Sequence, residues 1–227
     1  GPYKNLASIG FGFDKNGKIT IDETKLTDAI NTSADSLNSL FMTAGTTTGT
    51  GLTYITAGNS TKTGTYDVQI TALPTYASDA AASTQTSATG TTENLSFSGS
   101  LFGAGVTLAV PQGTDQAGLV NLINNDSRLS SLLSASVDGT GHLVLTSLKQ
   151  GSNGNFTVSS DQVADTSGDT SGLGSGIDGT SVPGLDIQGT INGEPATGSP
   201  NGMLTGNTGN ATTGGLQIQY TGTSTGL

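Results

Sequence analysis

The sequence predicts an α+β chain, mainly antiparallel β, built as small β-rich domains with a few short helices. Three observations lead there. Apolar residues recur with period two in many short runs, the spacing of half-buried strands. Turn residues separate those runs, glycine above all, at 35 of 227 positions. Helical three- and four-residue spacing appears in only a few stretches. With 32% hydrophobic and 5% aromatic residues and no Trp, the chain suits several thin domains better than one thick core. Its length admits one large or two to three small domains, and two or three are expected. The recurring alternation favours a folded chain over a disordered one.

The first element is a hairpin. Ile9, Phe11 and Phe13 share one parity, Ile19 and Ile21 mirror them, and Asn16-Gly17 supplies two residues that tolerate positive φ. The apolar side chains are expected on one face. Asp22 then reads as an N-cap with Glu23 in the first turn, and Leu26, Ala29 and Ile30 form a helical stripe. Ser33 restarts that pattern, with Leu37, Leu40 and Phe41 as the apolar edge. The run from Asp14 has the flavour of a calcium loop, but its spacing excludes one. Counted from Asp14, Ile19 fills the obligatory glycine position, Lys18 a ligand position, and Lys25 the position of the bidentate carboxylate.

The small-residue run 43–50 marks a boundary, giving an expected first unit at 3–43, a hairpin plus helical pair. A β-rich α+β unit is expected at 44–162. It opens with strands at Leu52–Ile55 and Tyr66–Thr71, joined across GNSTKTG, the second burying Tyr66, Val68 and Ile70. The Ala/Ser/Thr stretch 76–93 reads as a polar connection or frayed edge, with a short alanine helix around 78–83 as the alternative. Leu95 and Phe97 form a strand, Val106, Leu108 and Val110 another, and Pro111 ends it. Thr114 is expected to cap a helix with Asp115 at its positive end and Leu119, Val120, Leu122 and Ile123 as its stripe. Ala135 and Val137, a turn at 138–141, then Leu143 and Leu145 make a hairpin, and Phe156 and Val158 a last strand. One helix on one antiparallel sheet is the expected unit.

The stretch 163–182 is nearly free of large apolar residues and is expected to be a linker or long loop. A small β unit, or strands returning to the preceding one, is expected at 183–227. It comprises Leu185–Ile191, a turn at Asn192-Gly193, a return through Met203-Leu204, and Leu216–Tyr220. Gly1-Pro2 reads as the remnant of a cleaved tag, so the natural chain is expected to continue on both sides.

The formal net charge is −10, from 17 acidic and 7 basic residues. With no basic patch, nucleic acid and anionic membranes are not expected partners. No apolar run has the length of a membrane helix, and no signal peptide is seen. The absence of Cys removes disulfides, thiol catalysis and most zinc sites. His142 is the only histidine, so a Ser-His-Asp arrangement would depend on it, and no nucleophile-elbow or oxyanion motif accompanies it. The acidic residues Asp161, Asp165, Asp169 and Asp178 fit no calcium template. The glycines of 99–106 and 171–179 lack the strand and helix of a dinucleotide loop. Asn59, Asn94 and Asn155 lie in glycosylation sequons expected by chance in so Ser/Thr-rich a chain. No catalytic, cofactor or metal site is therefore assigned, and an enzyme is not expected.

The run LASIGFGFDKNGKITIDETKLTDAINTSADSLNSLF, with Ile9, Gly10, Gly17, Ile19, Ile21, Asp22, Glu23, Lys25, Leu26, Ala29, Ile30, Leu40 and Phe41, resembles the closing signature of the flagellar hook-associated protein 2 C-terminal region. This is the filament-cap family. Gly64–Leu73 resembles a strand that opens its head domain, Ile123-Asn124 and its flanks resemble the "flagellar hook IN" motif, and DIQGTINGEPATG from Asp186 resembles an element of its longer members. The resemblance implies head domains of a long filament-cap protein, extracellular at the flagellum tip, promoting flagellin assembly. It implies flagellin and hook-filament junction proteins as partners through the parent chain, and a ring of full-length copies. This chain alone is expected to be monomeric. The alternative reading is an extracellular adhesin or glycan-binding module that meets a host surface.

Overall fold

In the computed structural model of the chain, residues 3, 5–32, 45–162, 168–174 and 180–226 are described. Antiparallel sheets dominate, joined by two helices and short 3₁₀ turns, so the expected fold class is borne out.

The N-terminal hairpin forms as its pattern predicts. Strand β1 (Phe11–Phe13) pairs with β2 (Ile19–Ile21) in the register Phe11↔Ile21 and Phe13↔Ile19. Asp14 Oδ1 accepts the N–H groups of Asn16 (2.8 Å) and Lys18 (2.9 Å), closing the turn that resembles a calcium loop. Helix α1 (Glu23–Thr32) follows, and Asp22 Oδ1 accepts the Lys25 N–H at 3.2 Å, as an N-cap does. Ile9 and Ala29 are buried, yet Phe13 is 75% and Ile19 61% exposed, so the shared apolar face lies open among the described residues. The second helix expected from Ser33 falls outside the described residues.

The remaining chain builds two cores, and their sheets do not follow chain order. Strands β3 (Leu52–Thr56), β4 (Ser60–Thr61), β5 (Val68–Ala72), β13 (Gln188–Ile191), β14 (Glu194–Gly198), β15 (Met203–Gly206), β16 (Thr213–Gly214) and β17 (Gln217–Tyr220) form one region. Its six-stranded sheet runs β3-β17-β15-β14-β13-β5, and a short ladder β16-β4 sits beside it. Strands expected in the separate stretches 44–162 and 183–227 therefore lie side by side. The strands joined across GNSTKTG do not pair: β3 and β5 are the two opposite edges of the sheet. Ile70, Ile187, Ile191, Leu204, Ile218 and Tyr220 form this core. Asn192, at φ 56°, and Gly193, at φ 71°, make the two-residue turn between β13 and β14, the conformation that turn requires.

The second core is built from β6 (Tyr76–Ala80), β7 (Glu93–Ser98), β8 (Val106–Val110), α2 (Gln116–Asn125), β9 (Leu133–Val137), β10 (Leu143–Gln150), β11 (Thr157–Ser160) and β12 (Thr180–Val182). The single expected sheet is two: β12-β6-β10-β9 and β11-β7-β8. Both send alternate residues into one cluster with α2, including Leu95, Phe97, Leu108, Leu119, Ile123, Leu133 and Leu145. Phe102 bridges Phe97 and Phe156, edge-on to the latter.

Three further expectations change. The stretch from Tyr76 is neither connection nor helix but an inner strand between β10 and β12, its buried parity carried by Ala77 and Asp79. Small side chains hide a strand from hydrophobic patterning while leaving its backbone free to pair. The cap of α2 is Asp115, whose Oδ1 accepts the Gly118 N–H at 2.7 Å, while Thr114 Oγ1 donates to the Pro111 carbonyl at 2.6 Å. Within 163–182, residues 168–174 are tied into the core. Leu173 is fully buried, the Gly172 carbonyl accepts the Ala82 N–H at 2.8 Å, and β12 extends the four-stranded sheet.

Candidate functional site: the joint between the cores

The chain leaves the six-stranded sheet after β5 and returns to it before β13, and the two crossings meet. Thr75 N–H donates to the Leu185 carbonyl (2.9 Å), and Leu185 N–H donates to Thr75 Oγ1 (2.9 Å). Gly151 N–H donates to the Thr75 carbonyl at 2.8 Å, and Gly184 N–H to Asn155 Oδ1 at 2.7 Å. Asp186 holds the short turn Ser152–Gly154: Oδ1 accepts the Ser152 N–H (2.6 Å) and Oδ2 the Ser152 hydroxyl (3.0 Å). The crossing segments are thereby fastened to the end of β10. Beside them lies a groove of about 380 Å³, whose walls include Leu73, Gln150, Asn201, Tyr220 and Thr221. Its walls carry no charge and no nucleophile paired with a base, so its chemistry is shape and hydrogen bonding.

Elsewhere carboxylates act as fasteners. Glu93, 1% exposed, accepts from Ser160 Oγ (2.6 Å), Ser171 Oγ (2.5 Å) and Ser171 N–H (2.9 Å), drawing β7, β11 and the 168–174 loop together. Glu194 accepts the backbone N–H groups of Ala211, Thr212 and Thr213 and both threonine hydroxyls, Thr213 Oγ1 at 2.6 Å being the shortest. Those bonds, the Thr213 hydroxyl foremost, hold its pKa down at about 2. Asp161 accepts the Asn94 N–H (2.8 Å) and Nδ2 (2.7 Å), which lowers its pKa. Among the described residues the Glu93 oxygens are satisfied by the N–H and O–H groups of Ser160 and Ser171.

The candidates read from the sequence are dispersed. His142 directly follows the turn 138–141, its Nδ1 2.9 Å from Thr140 Oγ1, while Asp138 Oδ1 accepts from the N–H groups of Thr140 and His142. These contacts staple a turn. Asp161 and Asp169 are held by separate loop contacts, Asp169 against Gly90, whereas Asp165 and Asp178 lie outside the described residues. Among the described residues no three His, Cys, Asp or Glu side chains come together to hold a metal. Among them, too, no helix is long and apolar enough to cross a membrane. Asn94 and Asn155, two of the sequon residues, are structural, the first holding Asp161 and the second the joint. Composition did not reveal Glu93, Asp186 or Glu194, because their partners are serines, threonines and backbone groups present everywhere in this chain. The one signal was the Asp186-to-Gly198 element, which holds two of them.

Two β-rich cores fastened to each other by their crossing segments define a structural class: a two-core, mainly antiparallel β scaffold. The comparisons with known proteins specify it. Residues 1–98 match the family model described as flagellar hook-associated protein 2 C-terminus. The D2-D3 domains of the flagellar cap protein from Escherichia coli share the fold at a TM-score of 0.51 and 20% identity, over 78% of this chain and 92% of that one. The hook-associated protein 2 of Pseudomonas aeruginosa PAO1 does so at 0.51 and 16%, over 78% and 81%. No curated protein is matched by sequence. The family match over residues 1–98 and the fold shared with the cap-protein domains agree with the resemblance carried by Leu6–Phe41.

Proposed function

We propose that this chain supplies head domains of a flagellar filament cap, outside the cell at the flagellum tip, where the parent protein promotes addition of flagellin. Its contribution is steric: two β-rich heads, one on each core, with the segment between β5 and β13 inserted into the six-stranded sheet, moving as one lid. The parent's own copies form the ring, and flagellin and the junction proteins meet it through the parent. The observation that supports this reading is the joint, where Thr75, Asn155, Gly184 and Asp186 bind the two crossings to β10 in a fold shared with cap D2-D3 domains.

The test is complementation of cap-deficient cells with the parent protein carrying or lacking residues 45–226. Loss of filaments, with unassembled flagellin accumulating in the medium only for the shortened protein, is expected. Normal filaments from it would overturn the proposal. In solution, light scattering on this chain is expected to give a monomer; a compact stable oligomer would remove the assignment of ring assembly to the rest of the parent.

A further inference from the structure

Four Asn-Gly steps occur in the chain: Asn16-Gly17, Asn153-Gly154, Asn192-Gly193 and Asn201-Gly202. Such a step is the usual site of spontaneous deamidation, because glycine leaves the following backbone nitrogen unhindered. That nitrogen must lose its proton to act as a nucleophile, and a hydrogen bond to a carbonyl has to open first. Three of the four glycine N–H groups are engaged: Gly17 with the Asp14 carbonyl (3.0 Å), Gly154 with Gly151 (2.9 Å) and Gly202 with Ser199 (3.2 Å). Gly154 and Gly202 are also buried. Gly17 is as exposed and uncrowded as Gly193 and is separated from it by its engaged N–H alone. Among the described residues the Gly193 N–H donates to no backbone or side-chain acceptor, Gly193 is exposed, and nothing lies within 4 Å of the position a Cβ would take.

We infer that Asn192 is a self-modifying site that deamidates ahead of the other three. The deprotonated Gly193 nitrogen attacks Asn192 Cγ, the Cγ–Nδ2 bond breaks, and ammonia leaves with the proton lost from Gly193. The resulting succinimide adds water at either carbonyl, yielding aspartate or isoaspartate. Water is the sole co-reactant, and no oxidant or enzyme enters.

The surroundings of Asn192 make the change consequential. Asn192 Nδ2 donates to Thr212 Oγ1 at 3.1 Å, and that hydroxyl gives its single proton to Glu194 Oε2 at 2.8 Å. Once Nδ2 is replaced by a carboxylate oxygen, acceptor faces acceptor, and Thr212 has no second proton to offer. The new charge also stands beside the Glu194 carboxylate, a like-charge pair at the end of one hairpin. Isoaspartate does more, inserting a methylene into a two-residue turn that permits no extra backbone atom between Ile191 and Glu194. Deamidation therefore loosens the β13–β14 hairpin from the 211–213 turn, a one-way ageing step in the six-stranded sheet.

The experiment incubates the intact chain in mildly alkaline buffer and follows each Asn-Gly peptide by mass spectrometry, with isoaspartate detection. Asn192 is expected to convert several times faster than Asn16, Asn153 and Asn201. Equal or slower conversion at Asn192, or none, would sink the assignment. An N192G chain, which keeps a residue able to hold positive φ, is expected to lose the fast phase. The N192D chain is expected to melt lower and to exchange the β13–β14 amides faster than the N16D chain; indistinguishable melting and exchange would overturn the structural consequence.

Discussion

Asn124 and Ala135 exchange two hydrogen bonds. Asn124 Nδ2 donates to the Ala135 carbonyl at 2.9 Å, and Ala135 N–H donates to Asn124 Oδ1 at 2.8 Å. Ala135 pairs with Leu145 on one side, and β9 is the edge of its sheet, so the Asn124 side chain stands where another strand would be. The residue pair Ile123-Asn124, singled out by its family-like motif, thus has a physical role: Ile123 anchors the helix in the core, and Asn124 closes the sheet edge. Replacing Asn124 with Ala leaves a buried N–H and C=O unpaired and is expected to cost about 1–3 kcal/mol in urea unfolding. N124D keeps one bond but sets a carboxylate against the Ala135 carbonyl, and its loss is expected to be no smaller. An unchanged midpoint for both would refute the edge-closing role.

Glu194 gives the fold an acid limit. Its pKa falls from 4.5 to about 2 in the folded chain, the Thr213 hydroxyl being the main cause. A carboxyl with a depressed folded pKa contributes stability fully above the unfolded value of 4.5 and loses it as pH falls toward about 2. The midpoint of urea unfolding is therefore expected to drop across that window. In E194Q this part of the slope is expected to vanish, with melting several degrees lower at neutral pH, since one amide oxygen cannot serve five donors. A variant that keeps the wild-type slope would place the acid sensitivity elsewhere.

The strand pattern was legible wherever large apolar residues alternate. Leu95 and Phe97, Val106 to Val110, Leu143 and Leu145, and Ile218 and Tyr220 all sit in strands with one buried parity. Pairing was less legible, because β3 finds β17 and β5 finds β13 across most of the chain length. Local spacing writes which face of a strand is buried; it does not write which distant edge the backbone will meet. The joint was hidden for a related reason, since its bonds are made by backbone groups, Thr75, Ser152, Asn155 and Asp186, residue types so common in the chain that nothing in their spacing marks these ones out.

Asp79 runs opposite to Glu194. It is 8% exposed, opposite Leu145 on β10 and Ser181 on β12, and burial raises its pKa above 3.8. A carboxyl whose folded pKa is raised favours the fold most when protonated, so its contribution is lost as pH rises from 3.8 through the raised value. The D79N chain, which keeps the shape and never ionises, is expected to melt a few degrees higher than the wild type at neutral pH and to match it in acid. Equal melting at neutral pH would show that the carboxylate is solvated without cost in its strand.

Gly198 decides whether β14 can pass under Ile187. A Cβ placed on Gly198 would stand 1.6 Å from the Ile187 carbonyl oxygen and 2.7 Å from its carbon, distances no side-chain rotation can relieve because the obstacle is backbone. Ile187 is itself buried in the six-stranded core one residue after Asp186, so yielding would shift the joint as well. G198A is accordingly expected to lose about 3 kcal/mol or more, the range of severe steric substitutions. Gly209 is the matched control, with nothing within 4 Å of its Cβ position and no positive φ. G209A is expected to be neutral or to gain about 0.5 kcal/mol from a less flexible unfolded chain. If G198A unfolds completely, the milder measurement is amide exchange in G198S under native conditions with a stabilising osmolyte, where faster exchange at Ser152 than at Gly118 is expected. Equal acceleration at the two amides would mean that the close packing of β14 on Ile187 is not transmitted to the joint.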